Sequence, residues 1–267
     1  MARLARVLAV DTPYHVTQRG NARRAVFETD SDRLVYMSLL QECARLHRLS
    51  ILGYCLMRNH VHLIALPRRL DSMPRVLRCA HGRYAAYLNA RRAASGHVWQ
   101  GRYYSCPMDE NHLWTALRYI EHNPVRAQIA DQAESYLWSS ARVHCNEGYA
   151  DGLVDLEMWR NRWSPEEWRE FLACASAAGE EAEHIRQYTH NGRPLGSPDF
   201  VRQLEQHTGR LLSARKGGRP RKRLAEPGQR QLVFAGERGH GPGKPENVPS
   251  VPGFCPRVFS FPSSVER

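Results

Sequence analysis

His60-Val61-His62 places two imidazoles at positions i and i+2. In a strand such residues point to the same face, so the two rings converge while Val61 turns toward the core. Imidazole nitrogens are good ligands for divalent metals. Thirteen histidines in 267 residues are enough to produce such a pair by chance, and the alternative is two half-exposed strand histidines. Tyr119 and Asn123 stand four residues apart just ahead of Pro124, and residues at that spacing share a helical face. A phenol beside a neutral oxygen ligand suits phosphoryl transfer. The Asn123 amide oxygen would be a third metal ligand, and the metal would polarise a non-bridging phosphate oxygen. Tyr119 would attack phosphorus and form a phosphotyrosine. Spacing alone favours a plainer account, a buried core tyrosine with Asn123 at the helix C-terminus. His122 competes as third ligand, whereas Glu121 lies about 200° around the helix from Tyr119 and is poorly placed.

These residues need a strand and a helix brought face to face. Tyr14–Arg19 is β-prone and ends at the turn signal Gly20-Asn21. Asp30 or Ser31 can cap a helix reaching about Arg48. Leu49–Met57 and His60–Leu66 read as a hairpin closed by Arg58-Asn59. Pro74 can open a second helix reaching about Arg92, Arg102–Cys106 reads as a short strand, and Asp109 caps a helix over Glu110–His122 that stops at Asn123-Pro124. The order β-α-β-β-α-β-α predicts an α+β fold with a ferredoxin-like antiparallel sheet and packed helices. Beyond it, Glu157–Ala177 and Asp199–Leu212 are candidate helices of a C-terminal extension. Residues 224–267 hold seven Pro and six Gly in 44 positions, the composition of a disordered tail. The expected organisation is 1–127 for the chemistry, 128–214 for the helical extension, and 215–267 for a basic arm and tail.

Composition narrows the function. The chain is 42% hydrophobic and carries a net charge of +11. Between Arg210 and Arg223 there are seven Lys/Arg and no acid, so much of the excess charge sits in one stretch, as in a phosphate-binding arm. No apolar run is long enough to span a bilayer, and the N-terminus reads as neither signal peptide nor anchor. The expected location is the cytoplasm. The seven cysteines are scattered and never spaced Cys-x-x-Cys. That argues for reduced thiols and against a zinc ribbon.

Several stretches together carry a resemblance. Tyr14-His-Val-Thr-Gln-Arg-Gly-Asn21, Tyr54-Cys-Leu-Met-Arg-Asn-His-Val-His62, Trp99-Gln-Gly-Arg-Tyr103, Arg118-Tyr-Ile-Glu-His-Asn-Pro-Val-Arg-Ala127, Tyr136-Leu-Trp-Ser-Ser-Ala141 and Gly192-Arg-Pro-Leu-Gly196 occur in this order. The chain resembles the single-tyrosine HUH transposases, and among them the REP-associated tyrosine transposases, over about residues 3–215. The resemblance implies a fold of the HUH endonuclease type, with metal ligation by His60 and His62, nucleophilic attack by Tyr119 and a polar metal ligand at Asn123, where relatives often carry Gln. Arg58 stands where the family usually has Pro. The implied activity is cleavage and rejoining of single-stranded DNA near hairpin-forming repeats, with Mg²⁺ or Mn²⁺ and a 5′-phosphotyrosine intermediate. The energy of the bond would be kept in that linkage, in keeping with the lack of a phosphate loop of the Gly-x-x-x-x-Gly-Lys-[Ser/Thr] type. The alternative is a hairpin-binding protein of the same fold that no longer cleaves. Strand exchange at two ends is easiest with two tyrosines, which suits a homodimer, while a monomer could still cleave.

Arg19, Arg23, Arg24, Arg102 and Arg126 flank the proposed site as candidate phosphate contacts, and Trp99, Tyr103 and Tyr104 as candidate stacking platforms or core residues. Arg219 and Arg221, in Gly-Arg-Pro-Arg, read either as an AT-hook entering the minor groove or as a basic linker.

Overall fold

The computed structural model describes residues 6–146, 148–174 and 178–213, all within the unit Met1–Lys216. The arm holding Arg219 and Arg221, and the tail 224–267, lie outside the described residues. Four strands, β1 (Tyr14–Arg19), β2 (Leu49–Met57), β3 (His60–Pro67) and β4 (Tyr104–Pro107), form one antiparallel sheet in the order β2-β3-β1-β4. Helices α1 (Asp30–Leu46) and α2 (Ser72–Arg91) cover one face, and α3 (Glu110–Glu121) packs on the other. This is the α+β sandwich expected from the element order.

The alternation of β1 assigns its residues to the two faces. Tyr14 and Val16 enter the core beneath α1 and α2. His15, Thr17 and Arg19 face the other way, beside β3 in the register His15↔Ile64, Thr17↔His62 and Arg19↔His60. His60 and His62 therefore rise from the face that α3 covers. The β2–β3 turn at Arg58-Asn59 is held by the Arg58 carbonyl, which accepts from the Val26 and Phe27 N–H groups at 2.9 and 3.0 Å. Arg58 is thereby anchored through its backbone, with its side chain exposed.

Local chemistry moves several predicted boundaries. Thr29, not Asp30 or Ser31, caps α1, through a capping box with Asp32. Helix α2 opens at Ser72, two residues before Pro74, which sits in the first turn where its missing N–H costs nothing. Asp109 caps α3 as expected, accepting from the His112 N–H at 3.0 Å. Beyond His122 the chain resumes as a single turn, α4 (Asn123–Arg126). The long helix expected over Glu157–Ala177 is two, α6 (Glu157–Arg160) and α7 (Pro165–Ala173), following the short α5 (Ala141–Cys145). Ser164 caps α7 in a capping box and Pro165 supplies its first residue, so the chain restarts there. Then come α8 (Ala178–Asn191), not expected from the sequence, and α9 (Pro198–Thr208).

The extension covers both sheet edges, which would otherwise present unpaired backbone groups. At β2, the Leu56 N–H donates to the Trp138 carbonyl and the Ser140 N–H to the Tyr54 carbonyl. The Tyr136 hydroxyl donates to the Leu56 carbonyl at 2.8 Å. At β4, α8 packs alongside, and Leu195 forms a parallel bridge to Met108. One expectation fails on this face of the chain: Cys43 of α1 and Cys79 of α2 are joined in a disulfide, brought together by the packing of the two helices. Cys55, Cys106 and Cys145 are free, buried thiols, and Cys255 lies outside the described residues.

Candidate active site

A cavity of about 490 Å³ opens between the β1–β3 face, α3 and α8, and its lining includes His15, Arg19, Arg23, His60, His62, Tyr104, Tyr119, Asn123, Arg126, Arg186, Thr189 and His190. Four elements meet here for separate reasons. The strand pair presents His60 and His62, whose ring centroids lie 4.9 Å apart. Helix α3 is amphipathic and buries Leu113, Leu117 and Ile120 beneath the sheet, which turns Tyr119 toward the histidines. Gly53 permits the close approach: a Cβ there would stand 2.2 Å from Leu117 Cδ1 and 3.0 Å from Ser140 Oγ. Glu121, on the far side of α3, is fully buried and accepts from His144 Nδ1 at 2.6 Å and Trp168 Nε1 at 2.8 Å. It anchors the helix end to the extension and takes no part in the cavity.

Tyr119 stands edge-on to His62 and to His15, with ring centroids 5.8 Å away in each case. Its hydroxyl accepts from Arg186 Nε at 3.3 Å. The Arg126 guanidinium lies over its ring at 4.7 Å and donates to the Asn123 amide oxygen. Asn123 is buried, and its Nδ2 has no partner among the described residues. His122 does not line the cavity and belongs to grooves on the outer side of α3.

The donor set fits a divalent metal. His60 Nδ1 lies 2.7 Å from Asn59 Oδ1, while Asn59 Nδ2 donates to the Arg23 carbonyl at 3.1 Å. The amide oxygen is therefore the acceptor, His60 Nδ1 carries the proton, and Nε2 is left bare. His62 Nδ1 is likewise engaged, 2.9 Å from His15 Nε2. Burial, with help from Arg19 and Arg126, lowers the His60 pKa to about 4; burial, then His60 and His15, pushes His62 well below its ordinary value. Both rings are neutral at pH 7, as metal ligands must be. Among the described residues no cluster of three His, Cys, Asp or Glu offers a metal site. The available set is two imidazoles and an amide, with no carboxylate in the lining. Such a set leaves positive charge uncompensated, and Arg19, Arg23, Arg126 and Arg186 add to it, so the cavity is built to receive an anion.

Of the residues singled out from the sequence, Arg19, Arg23 and Arg126 join His60, His62, Tyr119 and Asn123 in this cavity. Arg102 does not: it lines a separate cleft with Arg6 and Tyr103. Trp99 and Tyr103 are core residues, and Trp99 Nε1 donates to the His81 carbonyl at 3.0 Å. Tyr104 alone of the three aromatics reaches the cavity. Sequence reasoning missed His15, Arg186, Thr189 and His190. His15 lay within a quoted motif but had no second ligand at a telling spacing, and the other three sit on the unexpected α8.

Residues 9–123 match the family model of the IS200-like transposases. That span contains the whole sheet, both strand histidines, Tyr119 and Asn123. This match agrees with the resemblance carried by the chain's motifs. Among solved structures it is similar to a REP-associated tyrosine transposase bound to a REP hairpin, at 15% identity and a TM-score of 0.46, over 58% of this chain and 92% of that one. It is also similar to a candidate transposase from Deinococcus radiodurans R1, at 19% identity and a TM-score of 0.32, over 45% of this chain and 97% of the other. No curated protein matches significantly. Among the described residues no helix is long and apolar enough to cross a membrane.

Proposed function

We propose that this protein is a transposase that cleaves and rejoins single-stranded DNA at hairpin-forming repeats through a 5′-phosphotyrosine on Tyr119. The observation that carries the reading is the placement of Tyr119 edge-on to His62 across an arginine-rimmed cavity. His60, His62 and the Asn123 amide oxygen would hold Mg²⁺ or Mn²⁺, which when bound withdraws charge from a non-bridging phosphate oxygen. Arg19, Arg23 and Arg126 bind and orient the phosphodiester. The Tyr119 hydroxyl gives up its proton as its oxygen attacks phosphorus, the bond to the 3′ oxygen breaks, and that oxygen takes up a proton to leave as a hydroxyl. Arg186 stabilises the phenolic oxygen as it gains negative charge. A 3′ hydroxyl attacking the phosphotyrosine reverses the step, releasing Tyr119 and rejoining DNA without a nucleotide cofactor. In this scheme residues 1–127 carry the chemistry, 128–214 close the cavity, and the basic arm with Arg219 and Arg221 adds affinity for DNA, alongside Arg102. The protein acts in the cytoplasm at the nucleoid, as a homodimer where two strand ends are exchanged.

The test is a denaturing gel of full-length protein with labelled hairpin DNA and Mn²⁺, wild type beside Tyr119→Phe. The expected result is a metal-dependent covalent adduct absent from the variant. Retarded DNA on a native gel with no adduct, over a panel of hairpins and both metals, would make this a binding protein instead.

A further inference from the structure

The hydrogen bonds behind His62 run in one direction and begin in α8. The Thr189 hydroxyl donates its single proton to the Ile185 carbonyl at 2.7 Å. Toward His15 Nδ1, 2.7 Å away, the same oxygen can only accept. His15 Nδ1 therefore bears a proton. His15 is buried and the cavity lining holds no carboxylate to balance a charged ring, so the ring is neutral and its Nε2 is an acceptor. His62 Nδ1, 2.9 Å from that nitrogen, must be the donor. A neutral imidazole has one N–H, so His62 Nε2 is left bare, as His60 Nε2 is by way of Asn59.

We infer that Thr189 and His15 are positioning residues that hold His62 in its Nδ1–H tautomer, so that the extension helix α8 prepares a ligand of the catalytic domain. The stacked geometry agrees: the His15 and His62 rings are 6° from parallel with centroids 5.1 Å apart, and His15 and Thr189 are both buried. Partners of this kind orient a ligating histidine and set which nitrogen faces the metal. The chain of bonds belongs to the metal-free protein, although its use rests on the proposed ligation by His62.

The test is long-range ¹H–¹⁵N correlation on full-length, ¹⁵N-histidine-labelled protein without metal at pH 7.5, which distinguishes the two neutral tautomers. His62 signals are assigned by their loss in His62→Asn. Wild type should show His62 protonated at Nδ1. Thr189→Val, nearly the same shape but without a hydroxyl, should show a mixture of tautomers, and Thr189→Ser should restore the wild-type pattern. Mn²⁺ titration, read by loss of the free-ion electron paramagnetic resonance signal, should give an affinity about 10-fold or more weaker for Thr189→Val. A wild-type His62 protonated at Nε2, or a Thr189→Val spectrum identical to wild type, overturns the inference. If the tautomers behave as stated but wild type binds no Mn²⁺, the relay stands and the metal-site reading falls.

Discussion

At the scale of single residues, the site assigns different work to its two flanking arginines. Arg126 lies over the Tyr119 ring and donates to Asn123, so it shapes both the pocket of the proposed nucleophile and the proposed third ligand. Arg186 reaches the hydroxyl itself and is fixed in turn by Glu183 at 3.0 Å. A donor aimed at an oxygen that gains charge matters more in the transition state than in the ground state. Arg186→Ala should therefore slow adduct formation about 100-fold, with a much smaller change in hairpin affinity measured by fluorescence anisotropy. An adduct rate that falls only in step with affinity would reduce Arg186 to a phosphate contact. His60, His62, Tyr119 and Asn123 were legible as candidates because one strand or one helix turns each pair to a common face, while their roles came from the resemblance of the surrounding motifs. His15 and Arg186 were not, because their partners lie 47 and 67 residues away in the chain. No local period can encode such a pairing.

At the scale of elements, legibility followed the strength of the apolar pattern. The hairpin and α3 were readable, the first from its β-branched runs and turn, the second from its cap and amphipathic face. Helix α8 was invisible because it buries only a narrow stripe, Ala182, Ile185 and Thr189. Two of those three side chains are small or polar, and Glu180, Glu181 and Glu183 make its first turns acidic. The motif Gly192-Arg-Pro-Leu-Gly196 turns out to dock this helix: Gly192 adopts a left-handed conformation at its end (φ 70°). Leu195 then donates to the Pro107 carbonyl at 2.8 Å. On the other side of the cavity, the seating of α3 depends on Gly53. Gly53→Ala would push a methyl group into Leu117, which is nearly sealed in the core. Overpacking of this kind costs about 1–3 kcal/mol, and the displaced helix should carry Tyr119 off the histidines. Chemical denaturation should show the loss of stability, and the gel assay a slower adduct. Unchanged values of both would mean that α3 has slack that the packing does not reveal.

At the scale of the whole molecule, the sheet separates two cores, and each contains histidines held neutral by burial. His81 lies on the buried side of α2, where its Nε2 is 3.1 Å from the Tyr36 hydroxyl, and burial lowers its pKa to about 3. On the opposite face, burial lowers His15 to about 3 and His60 to about 4. In the unfolded chain each of these rings takes up a proton near its ordinary pKa of about 6.5. The unfolded state thus binds more protons than the folded state from about pH 6.5 down to about 4, and stability must fall as pH falls through that window. Above about pH 7 both states leave these rings neutral, so their contribution becomes flat. Each histidine adds a slope of at most about 1.4 kcal/mol per pH unit, and three acting together would make the domain markedly acid-sensitive. Urea denaturation at pH 7.5, 6.5, 5.5 and 5.0 keeps most carboxylates ionised and isolates this effect. The midpoint should hold between the first two values and drop steeply across the last two. His81→Asn should lower stability at every pH yet flatten the slope by about one proton's worth, because an amide does not titrate. Equal stability at pH 7.5 and 5.0 would show that the buried rings find a charged partner in the fold, and would overturn the neutral assignment on both faces of the sheet.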